Sequence, residues 1–316
     1  MSEWTPTASL ATLQTRARLL QRTREYFSAT TALEVETPTL SHAAVSDIHL
    51  ASIETTTCGQ RTYLHTSPEY AMKRLLTAGS GDIYQIARVY RDSESGRFHN
   101  PEFTMVEWYR LGFDHHQLMN DVEALLQHLL PTRMTLPAER ITYQQAIKQH
   151  TGLDPLHDSV SAMASCLIQA GIDVPASLQQ DRDGLLDLIM AAWVGPQLGL
   201  KAATFVYDYP ASQAALARIR GAVASRFELY VNGLELANGF HELGNPSEQQ
   251  QRFAQDLKER QRLNFPITPI DQHFLSALES GLPDCAGVAL GFDRLVMCAI
   301  GASHIDEVLA FPFARS

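Results

Sequence analysis

Cysteine is sparse in this chain of 316 residues: four are present, at positions 58, 166, 285 and 298, and no two stand as C-x-x-C. That excludes the usual spacings of a zinc ribbon or a thioredoxin-like motif, and isolated thiols suit a cytoplasmic protein. Apolar segments of membrane length are also missing. No stretch reaches the roughly 20 residues that span a bilayer, and the N-terminus has no apolar core of a secretory signal. Basic residues are outnumbered, 25 Lys and Arg against 35 Asp and Glu, for a formal net charge of -10. A broad surface for nucleic-acid phosphates needs clustered cations and is not expected. Arg16, Arg18, Arg22 and Arg24 form a local basic group, which reads as the solvated face of a helix. Glycine and proline are dispersed, without a linker or a repeat.

What is present suits a packed globular protein. The hydrophobic share is 45%, enough for a core, and the length allows one large domain or two modest ones. Leu10, Leu13, Ala17, Leu20 and Phe27 recur at helical spacing and predict an amphipathic helix over 9–30. Val35-Glu36-Thr37-Pro38 is a short extended piece bent by proline. Segments 49–56, 61–66, 82–91 and 102–111 read as strands. Residues 115–131 return to helical spacing through Leu118, Val122, Leu125 and Leu129, and about 140–200 reads as a mostly helical insertion or second layer. Residues 226–237 are a second strong strand signal. Ser247 with Gln250 predicts a capping box for a polar helix through about Leu263. A small-residue strand at 284–291 and a helix at 292–301 follow. Strands among helices, without regular βαβ alternation, predict an α+β fold around an antiparallel sheet flanked by helices.

Three segments carry chemistry. In the first, Arg91–Tyr109, an arginine and a turn-forming loop with His99 and Asn100 precede a strand. Alternation puts Phe103, Met105, Glu107 and Tyr109 on one face. Glu107 beside apolar neighbours needs a partner, either an internal Arg or Lys or a substrate ammonium. In the second, Asn232-Gly233 predicts a two-residue hairpin that sets Tyr230 opposite Glu235 and Glu228 opposite Ala237. Glu228 and Glu235 then share a face, which is either a solvated acidic face or a place for a cation such as Mg²⁺ on a triphosphate. The strand pattern is expected to break at Gly239, leaving Asn238, His241 and Glu242 near a turn. In the third, Gly287–Arg294, small residues permit close backbone approach, and Arg294 falls in the first turns of a helix. A cation there needs an anionic partner, either Asp293 or a ligand phosphate.

In this order the segments resemble the motifs of class II aminoacyl-tRNA synthetases, most closely the lysine-specific group. Pro38 in VETPTL resembles motif 1, YRDSESGRFHNPEFTMVEWY motif 2 and GVALGFDR motif 3, and Thr66-Ser67-Pro68-Glu69 and ELANGFHEL match the connecting signatures. The resemblance covers nearly the whole chain. It implies one synthetase-like catalytic domain over 1–316, a helical insertion at about 115–200 and a homodimer joined at motif 1. The catalytic pattern starts almost at residue 1, so no anticodon-binding domain is expected. The chain thus resembles the short paralogues of the lysine-specific enzymes, ligases that activate (R)-β-lysine with ATP and transfer it to a lysine side chain of elongation factor P. Ser67 and Ala289, where the synthetases usually carry alanine and glycine, suit a shifted amino group.

The resemblance also implies roles. Arg91 and Arg294 are the expected catalytic residues, Arg91 at the α-phosphate and substrate carboxylate and Arg294 at the leaving pyrophosphate. ATP is expected to meet Asp92, Ser93, His99, Asn100, Phe103, Glu235, Leu236 and Gly291 as well. Glu228 and Glu235 are expected to hold Mg²⁺. Ser67, Pro68, Glu69, Glu107, Tyr109, Asn238, Glu242 and Ala289 are expected to line the amino-acid pocket, with Glu69 at the near amine and Glu107, Tyr109 and Glu242 at the distal ammonium. One position departs from the family: motif 2 normally reads Arg-x-Glu, and here Ser93 stands at the glutamate position with Glu94 following. A tRNA-charging enzyme whose anticodon module is absent, and a non-catalytic regulatory relative, are the alternative readings.

Overall fold

A computed structural model of the protein describes residues 4–48 and 50–316. It falls into two compact units, one made of the chain up to Asp114 together with Glu242–Ser316, the other of His115–His241.

The first unit opens with α1 (Leu10–Ala29), β1 (Leu33–Glu34), β2 (Leu40–Ser41), β3 (Glu54–Thr57), β4 (Gln60–Leu64), α2 (Glu69–Thr77), β5 (Ile83–Tyr90) and β6 (Glu102–Leu111). The helix expected over 9–30 is α1, begun by the Ser9 hydroxyl accepting from the Thr12 amide at 3.1 Å. Its buried stripe differs from the expected one. Thr12, Leu19, Thr23 and Phe27 are buried, while Leu10 and Ala17 lie exposed. A 3.6-residue period fits neighbouring stripes of one helix, and partners choose between them. Here Phe27 chooses, stacked on Tyr84 with ring centres 4.3 Å apart and set edge-on to Trp108. The strand expected at 49–56 is short and late, Glu54–Thr57, paired with β4; His49 lies outside the described residues.

The second unit holds α3 (His115–Leu129), β7 (Glu139–Thr142), α4 (Tyr143–Thr151), α5 (Val160–Gln169), α6 (Arg182–Ile189), β8 (Thr204–Pro210), β9 (Ile219–Arg220), β10 (Val223–Val231) and β11 (Leu234–His241). Its strands run β11-β10-β8-β7, with β7 parallel to β8 and the other pairs antiparallel. Tyr143, Ile147, Leu185, Ile189 and Val206 centre its core, so helices from the 140–200 stretch pack on the strand β8.

The chain returns to the first unit with α7 (Pro246–Arg262), α8 (Gln272–Gly281), β12 (Cys285–Gly291) and α9 (Phe292–Ile300). The polar helix begins two residues earlier than expected. Asn245 caps it by accepting from the Glu248 amide at 3.1 Å, and Pro246 occupies the first helical position, so Ser247 is inside the helix. The strands of this unit run β1-β5-β6-β12, antiparallel except for β1 on β5. A separate three-stranded sheet runs β2-β4-β3.

Candidate functional site

Strand β6 and the loop before it organise the first unit's chemistry. The loop from Arg91 to Asn100 is held at both ends by backbone. The Arg91 amide donates to the Pro101 carbonyl at 2.9 Å and the Asp92 amide to Ala51 at 2.8 Å. Gly96 and His99 exchange hydrogen bonds across the turn. The guanidinium of Arg91 lies 5.1 Å from the centre of the Phe103 ring. Its Nε is buried and has no hydrogen-bond partner among the described residues. A buried, unsatisfied cationic donor is costly and marks a place for an anion. Ser93 is exposed and left-handed at φ 62°, and the Glu94 carboxylate stands 3.7 Å from Arg91.

Arg294, in the first turn of α9, donates to His99 Nε2 at 2.7 Å. The His99 ring keeps an exposed edge, yet desolvation of the rest and the Arg294 charge lower its pKa, so the neutral ring accepts. Asp293 is not the partner of Arg294. Its carboxylate takes Arg16 from α1 and the Thr104 amide, the latter at 2.8 Å. Arg16 therefore does not belong to a solvated face: it also donates to the Thr104 hydroxyl at 2.7 Å and lies over Phe292. Asn100 is buried, donating to the Glu102 carbonyl at 2.6 Å and accepting from the Phe313 amide at 2.9 Å, which ties the loop to the C-terminal segment. Phe103 packs with Ala87, Val89, Met105 and Ala289, and Gly291 precedes α9 as its cap.

Further along the same face of β6 lies a pocket of carboxylates. Glu107 is buried, but its partner is neither Arg nor Lys. It accepts from the Ser67 hydroxyl at 2.6 Å and the Tyr109 hydroxyl at 2.7 Å. Burial, and then the Glu69 charge, raise its pKa to about 7 against the lowering by those two donors. Pro68, buried, caps α2 and sets Glu69 in that helix's first turn. Lys73, one turn on, was not singled out from the sequence and is almost wholly buried. Its Nζ stands 2.6 Å from Glu69 and 2.6 Å from Glu242. Burial alone would lower the Lys73 pKa; the charges of Glu242 and Glu69 outweigh it and the net shift is upward. Burial raises Glu242 to about 8 despite the Lys73 charge. The Glu69–Lys73 spacing of four in a helix was the available signal.

In the second unit Asn232 and Gly233 both have positive φ, 53° and 75°, as the expected hairpin turn requires. The register then departs from simple counting. Tyr230 faces Glu235, but a β-bulge follows and Glu228 faces Asn238, not Ala237. The extra residue lets β11 continue through Gly239 to His241 instead of breaking. Glu228 and Glu235 still share a face. Glu228, mostly buried, accepts from Arg226 at 2.6 Å and from the Tyr230 hydroxyl at 2.7 Å, and Arg226 also reaches Asn238 at 3.3 Å. Leu236 is buried and Glu235 half-buried. Among the described residues no group of three or more His, Cys, Asp or Glu forms a metal cage. Two carboxylates suit a magnesium ion that takes most of its oxygens from phosphate and water.

Comparison with known proteins shows the family. The family model of tRNA synthetases class II (D, K and N) matches residues 4–315, and the chain belongs to that family. Within it, the chain is 51% identical to the elongation factor P–(R)-β-lysine ligase of Vibrio cholerae, over 100% of this chain and 99% of that protein. It is 49% identical to the enzyme of that name from Photobacterium profundum, over 98% of each chain. With the one from Salmonella arizonae the identity is 47%, over 99% of this chain and 98% of the other.

Proposed function

We propose that the chain activates (R)-β-lysine with ATP and transfers it to a lysine side chain of elongation factor P. The full-length similarity to ligases of that name supports this reading. The observation that carries it in the structure is the cluster of buried or half-buried carboxylates Glu69, Glu107 and Glu242, with Glu107 on the strand that also bears Phe103 and Lys73 between the other two.

In the first step the substrate carboxylate attacks the α-phosphorus of ATP and pyrophosphate leaves. The half-buried Arg91 guanidinium, whose Nε is buried, opposes the charge that builds on the phosphorus oxygens. Phe103 stacks the adenine, and Arg294, backed by His99, meets the departing phosphates. Glu228 and Glu235 would hold Mg²⁺, which would supply positive charge against the triphosphate. Glu107, Tyr109 and Glu242 take the distal ammonium, and Glu69 the near one. In the second step the acceptor amine attacks the activated carbonyl and AMP leaves. No protein nucleophile is needed, so rate comes from placement and charge. A homodimer and a cytoplasmic setting complete the proposal; among the described residues no helix is long and apolar enough to cross a membrane.

ATP–pyrophosphate exchange with α-lysine and both β-lysine enantiomers tests the first step. Exchange is expected, strongest with (R)-β-lysine; none with any lysine isomer sinks the proposal. Intact mass of elongation factor P after incubation tests the second step, and label appearing on tRNA instead contradicts it.

A further inference from the structure

Of three carboxylates in the first unit, Glu69 and Glu242 meet the internal cation Lys73, while Glu107 meets the hydroxyls of Ser67 and Tyr109. Glu107 and Glu242 are each only 1–2% exposed, and Lys73 is 1% exposed. Buried carboxylates without a matching charge are strongly disfavoured. We propose that Lys73 is a positioning residue for the amino-acid pocket: it occupies the gap between Glu69 and Glu242, aims both carboxylates, and leaves room for two substrate ammonium groups.

This inference rests on the proposed lysine-type substrate and extends it to a residue outside the expected ligand set. Lys73 cannot itself be a solvent-facing ligand or a mobile base. It is tied on two sides at 2.6 Å and lies 5.8 Å from the centre of the Phe274 ring. Its charge cancels one of the three carboxylates, and a diamino acid brings the remaining two positive charges. An amino acid with one amine leaves a buried carboxylate unmatched. Among the described residues Glu107 is held by the Ser67 and Tyr109 hydroxyls and by no cation, so it is the carboxylate that a substrate ammonium would match. Raised pKa values at Glu107 and Glu242 agree with a pocket short of positive charge before substrate arrives.

The test is Lys73→Met, with KM for (R)-β-lysine and for ATP measured separately by pyrophosphate exchange, and folding followed by thermal denaturation. Loss of one charge-assisted contact at each carboxylate predicts a rise of about 30-fold in the KM for (R)-β-lysine, with the ATP KM changed by less than about threefold. A merely structural pair raises both constants together, or neither, and either result overturns the inference. If the methionine variant does not fold, Lys73→Arg decides. It keeps the charge but displaces it, so the (R)-β-lysine KM should again move alone; equal movement of both constants overturns the inference. Absence of exchange in the unaltered protein overturns the proposed function itself, and this inference with it.

Discussion

A Cβ placed on Gly287 would lie 2.2 Å from Cε1 of the Tyr109 ring, and 2.6 Å from Oε1 of Glu242. Gly287 pairs with Tyr109 across β12 and β6, so one edge of the ring occupies the space a side chain would take, beside Glu242. Gly287→Ala is expected to push Tyr109 off Glu107 and to disturb Glu242. Overpacking of this kind costs about 1–3 kcal/mol of stability, measurable by urea denaturation, and it should raise the KM for the amino acid more than that for ATP. Unchanged stability and an unchanged amino-acid KM would show that the ring moves freely.

Protonation of the pocket should be visible in stability. Glu107 and Glu242 have folded-state pKa values of about 7 and about 8, raised by burial above their unfolded values. The folded state therefore holds protons that the unfolded chain has already lost. This contribution is fully present below the unfolded carboxylate pKa and is lost as pH rises through the folded values. Denaturation midpoints are expected to fall between pH 5 and pH 8, and Glu107→Gln should flatten that slope. Identical slopes in the two proteins would contradict the assignment.

Arg16 is expected to matter beyond its helix. It links α1 to Asp293 at the start of α9 and to Thr104 on β6, the neighbours of Arg294 and Phe103. Arg16→Met leaves a buried carboxylate with one partner fewer, a loss of about 3–5 kcal/mol for a buried pair. Chemical denaturation measures it, and in pyrophosphate exchange the ATP KM should rise.

Glu94, not Ser93, is expected to serve Arg91. Glu94→Ala should raise the ATP KM by about tenfold, the scale of one charge-assisted contact, whereas Ser93→Ala should leave it within about twofold. The reverse order would restore Ser93 to the place of the usual motif glutamate.

Much of the fold was legible because periodicity reports burial directly. The helices at 10–29 and 115–129, the long strands β5 and β6 and the Asn232-Gly233 turn all follow from local spacing and turn chemistry. Three errors share a cause. The α1 stripe, the Glu228 pairing and the partner of Asp293 were each read from residues near in sequence. In the folded chain they are set by Tyr84 and Trp108, by a bulge in β11, and by an arginine far upstream.

The sequence alone determined the family, the order of its motifs and the common face of Phe103, Glu107 and Tyr109, because alternation along a strand and motif spacing are properties of local chain. Tertiary structure alone decided who partners whom. Lys73 meets Glu242 across 169 positions and Arg16 meets Asp293 across 277. Such pairs form because a buried charge must find its counter-ion wherever folding brings one near, and no local pattern in the chain encodes that choice.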